Sequence, residues 1–277
     1  MSLRFSVLSS GSSGNATYVE ADGSGLLVDA GLSCGRIRAL LGRIGRDLDD
    51  VQAVLVTHGH SDHTSGIRSL VRQLGVAVYA APGVGEKLGA ESVEVGEKLR
   101  VGGLGAEFFE VPHDSRTYGI RLSEGERSMV VATDMGEATA GVMRWMKGVE
   151  AMVLEANHDL DWLRRGPYPA DLKRRIMSGK GHLSNRQAAE VARELAPHGL
   201  KDLVLAHLSK TNNSTARATG AVTSVLREAG HGGIRVKAAL AGHPTPWIEV
   251  GEPLAGPEYA YRYGEGEVGG RKLFGFE

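Results

Sequence analysis

The chain is poor in cysteine and has no long apolar segment. Cys34 is its one cysteine among 277 residues, which excludes an intramolecular disulfide and fits a reducing compartment. We expect Cys34, which precedes a helical stretch, to serve in packing. The N-terminal residues 1–10 lack an apolar core, and no stretch reaches the ~18 apolar residues that a membrane-spanning helix requires. These absences predict a cytoplasmic protein with no part embedded in a membrane.

The chain also lacks an excess of charge of either sign. Its formal net charge is −1, with 42% hydrophobic and 23% charged residues, as in ordinary globular proteins. No global field therefore favours nucleic acid, and only a local patch could do so. No linker or internal repeat divides the chain, so we predict one domain over residues 1–250. The tail, residues 251–277, has no periodicity and is left unassigned.

Histidine, in contrast, is concentrated in one short segment. Residues 57–63 read Thr-His-Gly-His-Ser-Asp-His. An apolar strand over 53–56 precedes this segment, and a helical pattern of apolar residues starts at Ile67, so the segment is a strand-to-helix loop. Neutral imidazoles and a carboxylate suit Zn²⁺, Mn²⁺ or Fe. A solvated polar loop or an expression tag is the alternative, which the internal position and fixed gaps disfavour.

Other chemically active residues follow apolar strands elsewhere. In layered α/β folds such strand ends converge on one edge. The residues in this position are His58, His113, Asp134 and His207. His243 also follows a strand and competes with His207 for the same role.

Two further strand-end features have two interpretations each. Asp29, which closes the strand over 26–31, is either a hydrogen-bond partner for a metal-bound histidine or a turn residue. The Ser/Gly-rich loop over residues 9–15 is either a wide hairpin connection or the lining of a phosphate-binding cleft.

Positive charge collects between residues 159 and 186. The basic residues there are Arg164, Arg165, Lys173, Arg174, Arg175, Lys180 and Arg186. Only Asp161 and Asp171 oppose them. The segment is either a solvated helix face or a local patch that contacts phosphates.

The His-x-His-x-Asp-His segment after an apolar strand resembles the signature of the metallo-β-lactamase fold superfamily. The resemblance implies an α/β fold, a four-layer αβ/βα sandwich of two mixed β-sheets flanked by helices. It also implies two divalent metal ions, Zn or Mn, with Fe as a further option. One would be held by His58, His60 and His113. The other would be held by Asp62, His63 and His207, with Asp134 bridging the two.

Two hard cations close together lower the pKa of a shared water and clamp a phosphoryl oxygen. We therefore expect a metal-bridging hydroxide as the nucleophile, with Asp62 assigned to catalysis as well as to metal binding. The leaving oxygen needs a proton, for which a histidine outside the metal shell is the usual source. His182 is our candidate for this role. The residues assigned to hold substrate phosphates are Arg174, Arg175, Lys210 and Asn212.

A closer resemblance connects several separate motifs. They are the Ser/Gly loop and the segments 154–159, 166–169, 172–176, 181–185 and 205–213. Over residues 3–250 they resemble the YycJ/WalJ type of metal-dependent hydrolase, whose members are DNA 5′→3′ exonucleases. The chain is also similar to the tRNA-processing ribonuclease Z, whose non-ligand catalytic histidine occupies a place like that of His182. Gly59 departs from the glutamate that is common at this position. The resemblance implies DNA as the substrate, with RNA as the alternative.

Rival functions remain at this point. A thioester hydrolase of the glyoxalase II kind, or a β-lactamase, could use the same metal site, but neither needs the basic segment or His182. A di-iron redox protein would require more carboxylates. A β-CASP nuclease is disfavoured because only 72 residues lie between Asp134 and His207. Homo-oligomerisation is left open.

Overall fold

The computed structural model describes residues 2–252, so the predicted tail over 251–277 lies almost entirely outside the described residues. The strands are β1 (Arg4–Ser9), β2 (Ala16–Ala21), β3 (Ser24–Val28), β4 (Val51–Val56), β5 (Ala77–Ala80), β6 (Glu91–Ser92), β7 (Leu99–Val101), β8 (Leu104–Val111), β9 (Thr117–Glu124), β10 (Arg127–Ala132), β11 (Ala151–Glu155), β12 (Asp202–Ala206), β13 (Arg235–Ala238) and β14 (Ile248–Glu249). The helices are α1 (Cys34–Gly42), α2 (Ser61–Thr64), α3 (Ile67–Leu74), α4 (Ala140–Met146), α5 (Leu160–Arg165), α6 (Ala170–Ile176), α7 (Asn185–Leu195) and α8 (Thr215–Glu228).

The strands form two mixed sheets of seven strands each. The first has the order β14-β1-β2-β3-β4-β5-β6, and the second has the order β13-β12-β11-β10-β9-β8-β7. In the first sheet β3, β4, β5 and β6 are parallel, while β1, β2 and β3 are antiparallel. In the second sheet β10 to β13 are parallel, and β7 to β10 are antiparallel.

The alternation of side chains along each strand explains the layers. In β10, Val131 points into the cluster between the two sheets, while Val130 points into the cluster beneath α4, α7 and α8. In β4, Leu55 lies between the sheets and Val54 packs with residues of α1 and α3. Each sheet therefore buries one face against the other sheet and one face against helices. This arrangement confirms the predicted four-layer αβ/βα sandwich.

The strand directions bring several chain segments to one edge of the molecule. Because β1 and β3 are both antiparallel to β2, they run the same way, and β4 is parallel to β3. By the same reasoning β8 runs with β10, β11 and β12. The loops after these strands share an edge in each sheet, as the sequence predicted. No helix among residues 2–252 is long and apolar enough to cross a bilayer.

Candidate metal centre

The predicted metal ligands meet where these strands end. His58 follows β4, and Asp62 and His63 lie in α2, the single turn that comes next. Asp134 and His207 follow β10 and β12, and the remaining members are His60 and His113. Among these seven residues, nitrogen and carboxylate oxygen atoms within 4.8 Å of one another form three overlapping groups: His58–His60–His113, His58–His63–Asp134 and Asp62–His63–His207. The structure thus brings all seven predicted ligands together, and His243 lies elsewhere with an exposed side chain.

Three strand-end residues adopt a backbone conformation that side chains rarely accept. Asp29, Asp134 and His207 have φ angles of 61°, 57° and 54°. Such left-handed residues cost free energy and persist where surrounding contacts hold them. At His207 the contacts are specific: its N–H donates to Ser10 Oγ at 2.7 Å, and its carbonyl accepts from Asn157 Nδ2 at 2.9 Å. The strained turns direct these side chains into the site.

In the first group, which also contains His60, the side chains of His58 and His113 are poised as neutral imidazoles. Burial, with His63 nearby, lowers the pKa of His58 to about 3. Burial also lowers the pKa of His113, whose Nδ1 lies 3.0 Å from the carbonyl oxygen of Gly181. That carbonyl can only accept, so the proton lies on Nδ1 and the lone pair on Nε2 is available. A divalent cation binds this form of histidine.

The second group depends on a carboxylate that orients a histidine. Asp29 Oδ2 lies 2.6 Å from His63 Nδ1, and the same carboxylate accepts from the N–H and hydroxyl of Thr57, each at 2.8 Å. His63 Nε2 is then directed toward the site, 3.6 Å from Asp62 Oδ2. The two interpretations of Asp29 are therefore resolved in favour of a partner for His63. Such partners fix the ring orientation and increase ligand basicity.

Asp134 lies between the two groups. On the side of the first group, its carboxylate and His58 have ligand atoms within 4.8 Å of each other. On the side of the second group, its Oδ2 is 3.1 Å from His63 Nε2, and its Oδ1 is 3.4 Å from His207 Nδ1. Burial favours the neutral acid, but the charges of His207 and His63 hold the pKa of Asp134 well below its usual value. A buried carboxylate in contact with both sides is the donor that a bridging role requires.

The buried polar atoms of the site fit a divalent cation. Two of them, His58 Nε2 and His207 Nε2, have no hydrogen-bond partner. Unpaired buried polar atoms are costly in a folded protein. Imidazole nitrogens and carboxylate oxygens are common ligands of Zn²⁺, Mn²⁺ and Fe. The cluster therefore satisfies the chemical requirements of a metal centre.

Glu155 is a functional residue that the sequence did not single out. It is the last residue of β11 and is fully buried. Its carboxylate accepts four hydrogen bonds. Oε1 lies 2.8 Å from His182 Nδ1 and 2.9 Å from His207 Nδ1. Oε2 accepts from the N–H of Met135 at 2.9 Å and of Leu183 at 3.1 Å. Burial alone would raise the pKa of Glu155, but His182 and His207 lower it to about 2.

The geometry also places Glu155, His182, His207 and Asp134 within reach of one cation. We interpret this group as a hydrogen-bond network, because the four acceptor sites of the Glu155 carboxylate are already filled. His207 Nε2 faces Asp62 Oδ2 at 3.7 Å instead, on the side of the metal-ligand cluster. The signal for Glu155 was present in the sequence as a carboxylate that ends an apolar strand, the same pattern that identified Asp134.

His182 lies outside the ligand groups but next to them. Its ring centroid is 5.1 Å from that of His113 and 5.3 Å from that of His207. Although burial lowers the pKa of His182, the charge of Glu155 raises it above its usual value. Because Nδ1 donates to Glu155, Nε2 is left for other partners. A protonated imidazole beside the ligand cluster is suited to donate a proton.

A cavity of about 240 Å³ opens beside His182 and His207. Of the four predicted substrate-binding residues, Arg175 lines it, with an ion pair to Asp114. Arg174 points into solvent and pairs with Asp171. Lys210 is exposed and does not line the cavity.

Asn212, the fourth predicted substrate-binding residue, is 1% exposed and lies beneath the surface. A Cβ added to Gly166 would lie only 2.6 Å from Asn212 Oδ1, so the amide packs against that backbone. Its position indicates support for the segment around Gly166, because a side chain facing the interior cannot reach a ligand in the cavity.

The Ser/Gly loop is a hairpin connection that also reaches the cavity. It connects the antiparallel pair β1 and β2, and Ser12 lines the cavity. Asn15 Nδ2 lies 2.9 Å from His63 Nε2, and Asn15 Oδ1 accepts from the N–H of Gly11 at 2.8 Å. Asn15 was not predicted, because a polar residue in a Gly-rich loop has the appearance of a turn residue.

The sequence is similar to those of known proteins. The model of a family described as the β-lactamase superfamily domain matches residues 25–208. Exodeoxyribonuclease YycJ of Bacillus anthracis is 37% identical over 243 residues, which are 84% of this chain and 92% of that protein. Exodeoxyribonuclease WalJ of Streptococcus pneumoniae is 36% identical over 239 residues, 82% of this chain and 89% of that protein.

Solved structures share the fold at lower identity. YhfI, a metallo-β-lactamase fold protein of Bacillus subtilis, has a TM-score of 0.68 and 17% identity, covering 88% of this chain and 99% of its own. A diphosphatase of the PhnP family has a TM-score of 0.62 and 20% identity, with coverage of 91% and 99%. The short form of human tRNase Z has a TM-score of 0.60 and 15% identity, with coverage of 87% and 98%.

Proposed function

The chain belongs to the β-lactamase superfamily and, within it, to the family of the YycJ and WalJ exodeoxyribonucleases, and from this we propose that it is a metal-dependent DNA exonuclease. The enzyme class, a metal-dependent hydrolase, follows from the family. The finer statements are our proposal: two divalent ions, DNA as the substrate, and digestion in the 5′→3′ direction that the sequence resemblance implies.

The observation that carries the proposal is the position of His182. It stands at the cavity beside the ligand cluster, and the buried Glu155 holds its Nδ1 at 2.8 Å. Phosphodiester cleavage requires a proton for the leaving oxygen, and a positioned histidine typically contributes 10²–10⁴-fold to the rate. Hydrolysis of a neutral thioester or lactam does not require an oriented, protonated imidazole at this position.

The candidate ligands form two groups, one for each proposed cation. His58, His60 and His113 would hold one cation, and Asp62, His63 and His207 the other, with Asp134 in contact with both. When bound, such cations supply positive charge that activates water and stabilises the charge developing on a phosphoryl group. Asp29 and Glu155 keep His63 and His207 in fixed orientations by their bonds to Nδ1.

Arg175 is the group best placed to bind the substrate phosphate. Its guanidinium lines the cavity and is held by Asp114, whose other oxygen lies 3.2 Å from His113 Nε2. Partial burial favours the neutral acid, but the hydrogen bond from Arg175 and its charge hold the pKa of the Asp114 carboxyl below its usual value. A guanidinium in this position can contact a phosphate beside the ligand cluster.

The test uses duplex DNA labelled at either end, with purified protein and Mn²⁺. A 5′→3′ exonuclease releases a 5′ label at once as a mononucleotide, whereas a 3′-labelled strand shortens progressively. We expect His182→Ala to keep its metal content and lose roughly 10²–10⁴-fold in turnover. The matched control is His198→Ala, since that histidine is exposed and belongs to none of the candidate ligand groups.

Three results would oppose the proposal. Turnover of S-lactoylglutathione without cleavage of DNA would indicate a thioester hydrolase. Parental activity of His182→Ala on DNA would remove the assigned proton donor. Immediate release of the 3′ label with delayed release of the 5′ label would reverse the polarity.

A further inference from the structure

The cavity beside His182 has one apolar wall that the proposed chemistry does not use. Tyr168, Leu172 and Ile176 form it, and each of these side chains is half-buried. Leu172 and Ile176 are four residues apart on α6, so they share one face of that helix. The polar residues that line the cavity include Arg175, also on α6, and His182. Such a cavity suits a ligand that has a flat apolar part next to a negative charge.

The segment that carries Tyr168 is held in place by its neighbours. Pro167 and Pro169 flank the tyrosine, and their rings restrict the backbone on both sides. Gly166, just before them, packs so closely against Asn212 and the carbonyl of Trp162 that a Cβ would lie 2.6 Å and 2.7 Å from them. Tyr168 is therefore presented to the cavity by a rigid turn, which lowers the entropic cost of binding a ligand.

The apolar wall is also connected to the proton donor. The N–H of His182 donates to the carbonyl of Ile176, at the end of α6, at 2.9 Å. Gly181 packs against the same turn, where a Cβ would lie 2.2 Å from the carbonyl oxygen of Ile176. A group that rests on this wall is thus fixed relative to His182.

We propose that Tyr168, with Leu172 and Ile176, forms a nucleobase subsite that stacks the terminal base of the DNA strand next to the phosphate being cleaved. The inference rests on the proposed nuclease function and specifies how the substrate is held. Aromatic side chains stack on every base without regard to sequence. The volume of about 240 Å³ is below the ~300 Å³ at which pockets for drug-sized ligands begin. A cavity of this volume suits one unpaired base better than a base pair, so the apolar wall would favour binding of a DNA strand end.

The test measures the parent protein, Tyr168→Ala and Tyr168→Phe on two DNA substrates. One substrate has a normal 5′-terminal nucleotide and the other has a tetrahydrofuran abasic unit there. We expect Tyr168→Ala to lower kcat/KM on the normal substrate by roughly 5- to 100-fold, mainly through KM, because stacking is lost. On the abasic substrate the same substitution should have no effect, and Tyr168→Phe should restore the parental value.

A second measurement does not depend on turnover. A 2-aminopurine base at the 5′ end should lose fluorescence when it stacks in the His182→Ala background, and Tyr168→Ala should abolish that quenching. Trp162→Ala is the matched control, because Trp162 is 40% exposed in the preceding helix and does not line the cavity.

Each outcome separates the two proposals. If the parent protein does not cleave DNA, the proposed function fails. If the parent cleaves DNA but Tyr168→Ala loses equal activity on normal and abasic substrates, the nuclease assignment stands and the nucleobase subsite is overturned. Unchanged 2-aminopurine quenching in Tyr168→Ala would overturn the subsite as well.

Discussion

Replacing Glu155 by Gln tests the link between the proton donor and the metal-ligand cluster. The carboxylate accepts from four donors, two histidine Nδ1 atoms and two backbone N–H groups. An amide offers one oxygen and one NH₂ group in the same space. If the oxygen faces the backbone, the NH₂ group points at His182 and His207, and both rings must then move their protons from Nδ1 to Nε2. The hydrogen bond that His182 Nδ1–H donates to residue 155 is then lost, and His207 no longer has the unprotonated Nε2 that a metal ion needs.

The magnitude follows from the two hydrogen bonds. Each bond between a charged carboxylate and an imidazole contributes ~1.5–3 kcal/mol. Because both bonds are lost or inverted together, the expected loss is about 3–6 kcal/mol, which is roughly 10²–10⁴-fold in kcat. Metal affinity should fall about 10- to 100-fold, as it does when an outer partner of a ligating histidine is removed.

The assay is a pH–rate profile on labelled DNA at saturating Mn²⁺, with the metal content of each variant measured separately. Glu155 raises the pKa of His182 against the opposite effect of burial, so its removal should lower that pKa. A proton donor is active below its pKa, and the alkaline limb of Glu155→Gln should therefore move to lower pH. Glu150→Gln, on a half-buried carboxylate paired with Arg127 and Lys201, should keep the parental profile. Parental kcat and an unmoved alkaline limb in Glu155→Gln would refute the reasoning.

Two further predictions concern the phosphate site and the charge of the ligands. Arg175→Ala should raise KM for DNA and reduce the slope of log affinity against log salt by about 1. The side chain of Arg174 pairs with Asp171 in solvent, so Arg174→Ala should leave both KM and the slope unchanged. Equal effects of the two substitutions would contradict a phosphate contact by Arg175. Metal binding should release protons near neutral pH. Burial lowers the pKa of His63, but Asp29 and Asp134 raise it to about 10, and the pKa of His207 is likewise raised by Asp134. Because both rings must lose a proton to bind metal, titration calorimetry should give heats that depend on the ionisation enthalpy of the buffer, and affinity should increase with pH. Heats that are the same in all buffers would show that the metal-free rings are neutral.

Strand ends were the part of the site that could be predicted from the sequence. His58, Asp134 and His207 each follow an apolar strand, and parallel strands bring their ends to one edge. Apolar runs and amphipathic segments predicted individual strands and helices, whereas the two sheets were expected from the resemblance of the histidine segment to the metallo-β-lactamase fold superfamily. These are local signals, and each can be identified within about ten residues.

The partners of these residues could not be predicted in the same way. Glu155 binds His182 and His207, which are 27 and 52 residues away in the chain, and nothing in its neighbourhood indicates those contacts. Asn212 illustrates the same limit of local signals: its place beside Lys210 suggests a substrate contact, whereas the structure buries its side chain against Gly166. The direction of a loop side chain depends on packing that a motif does not contain.

The contacts of Glu155 couple the two functions of the site. One carboxylate oxygen accepts from both His182 and His207, so the two rings share its charge. A cation held by His207 through Nε2 would make its Nδ1–H a stronger donor to the shared oxygen. Less of the Glu155 charge would then face His182, and the pKa of His182 would be lower than in the metal-free protein. The same bond that orients a metal ligand therefore adjusts the acid, so proton donation should be tuned in the metal-loaded protein rather than in the metal-free one.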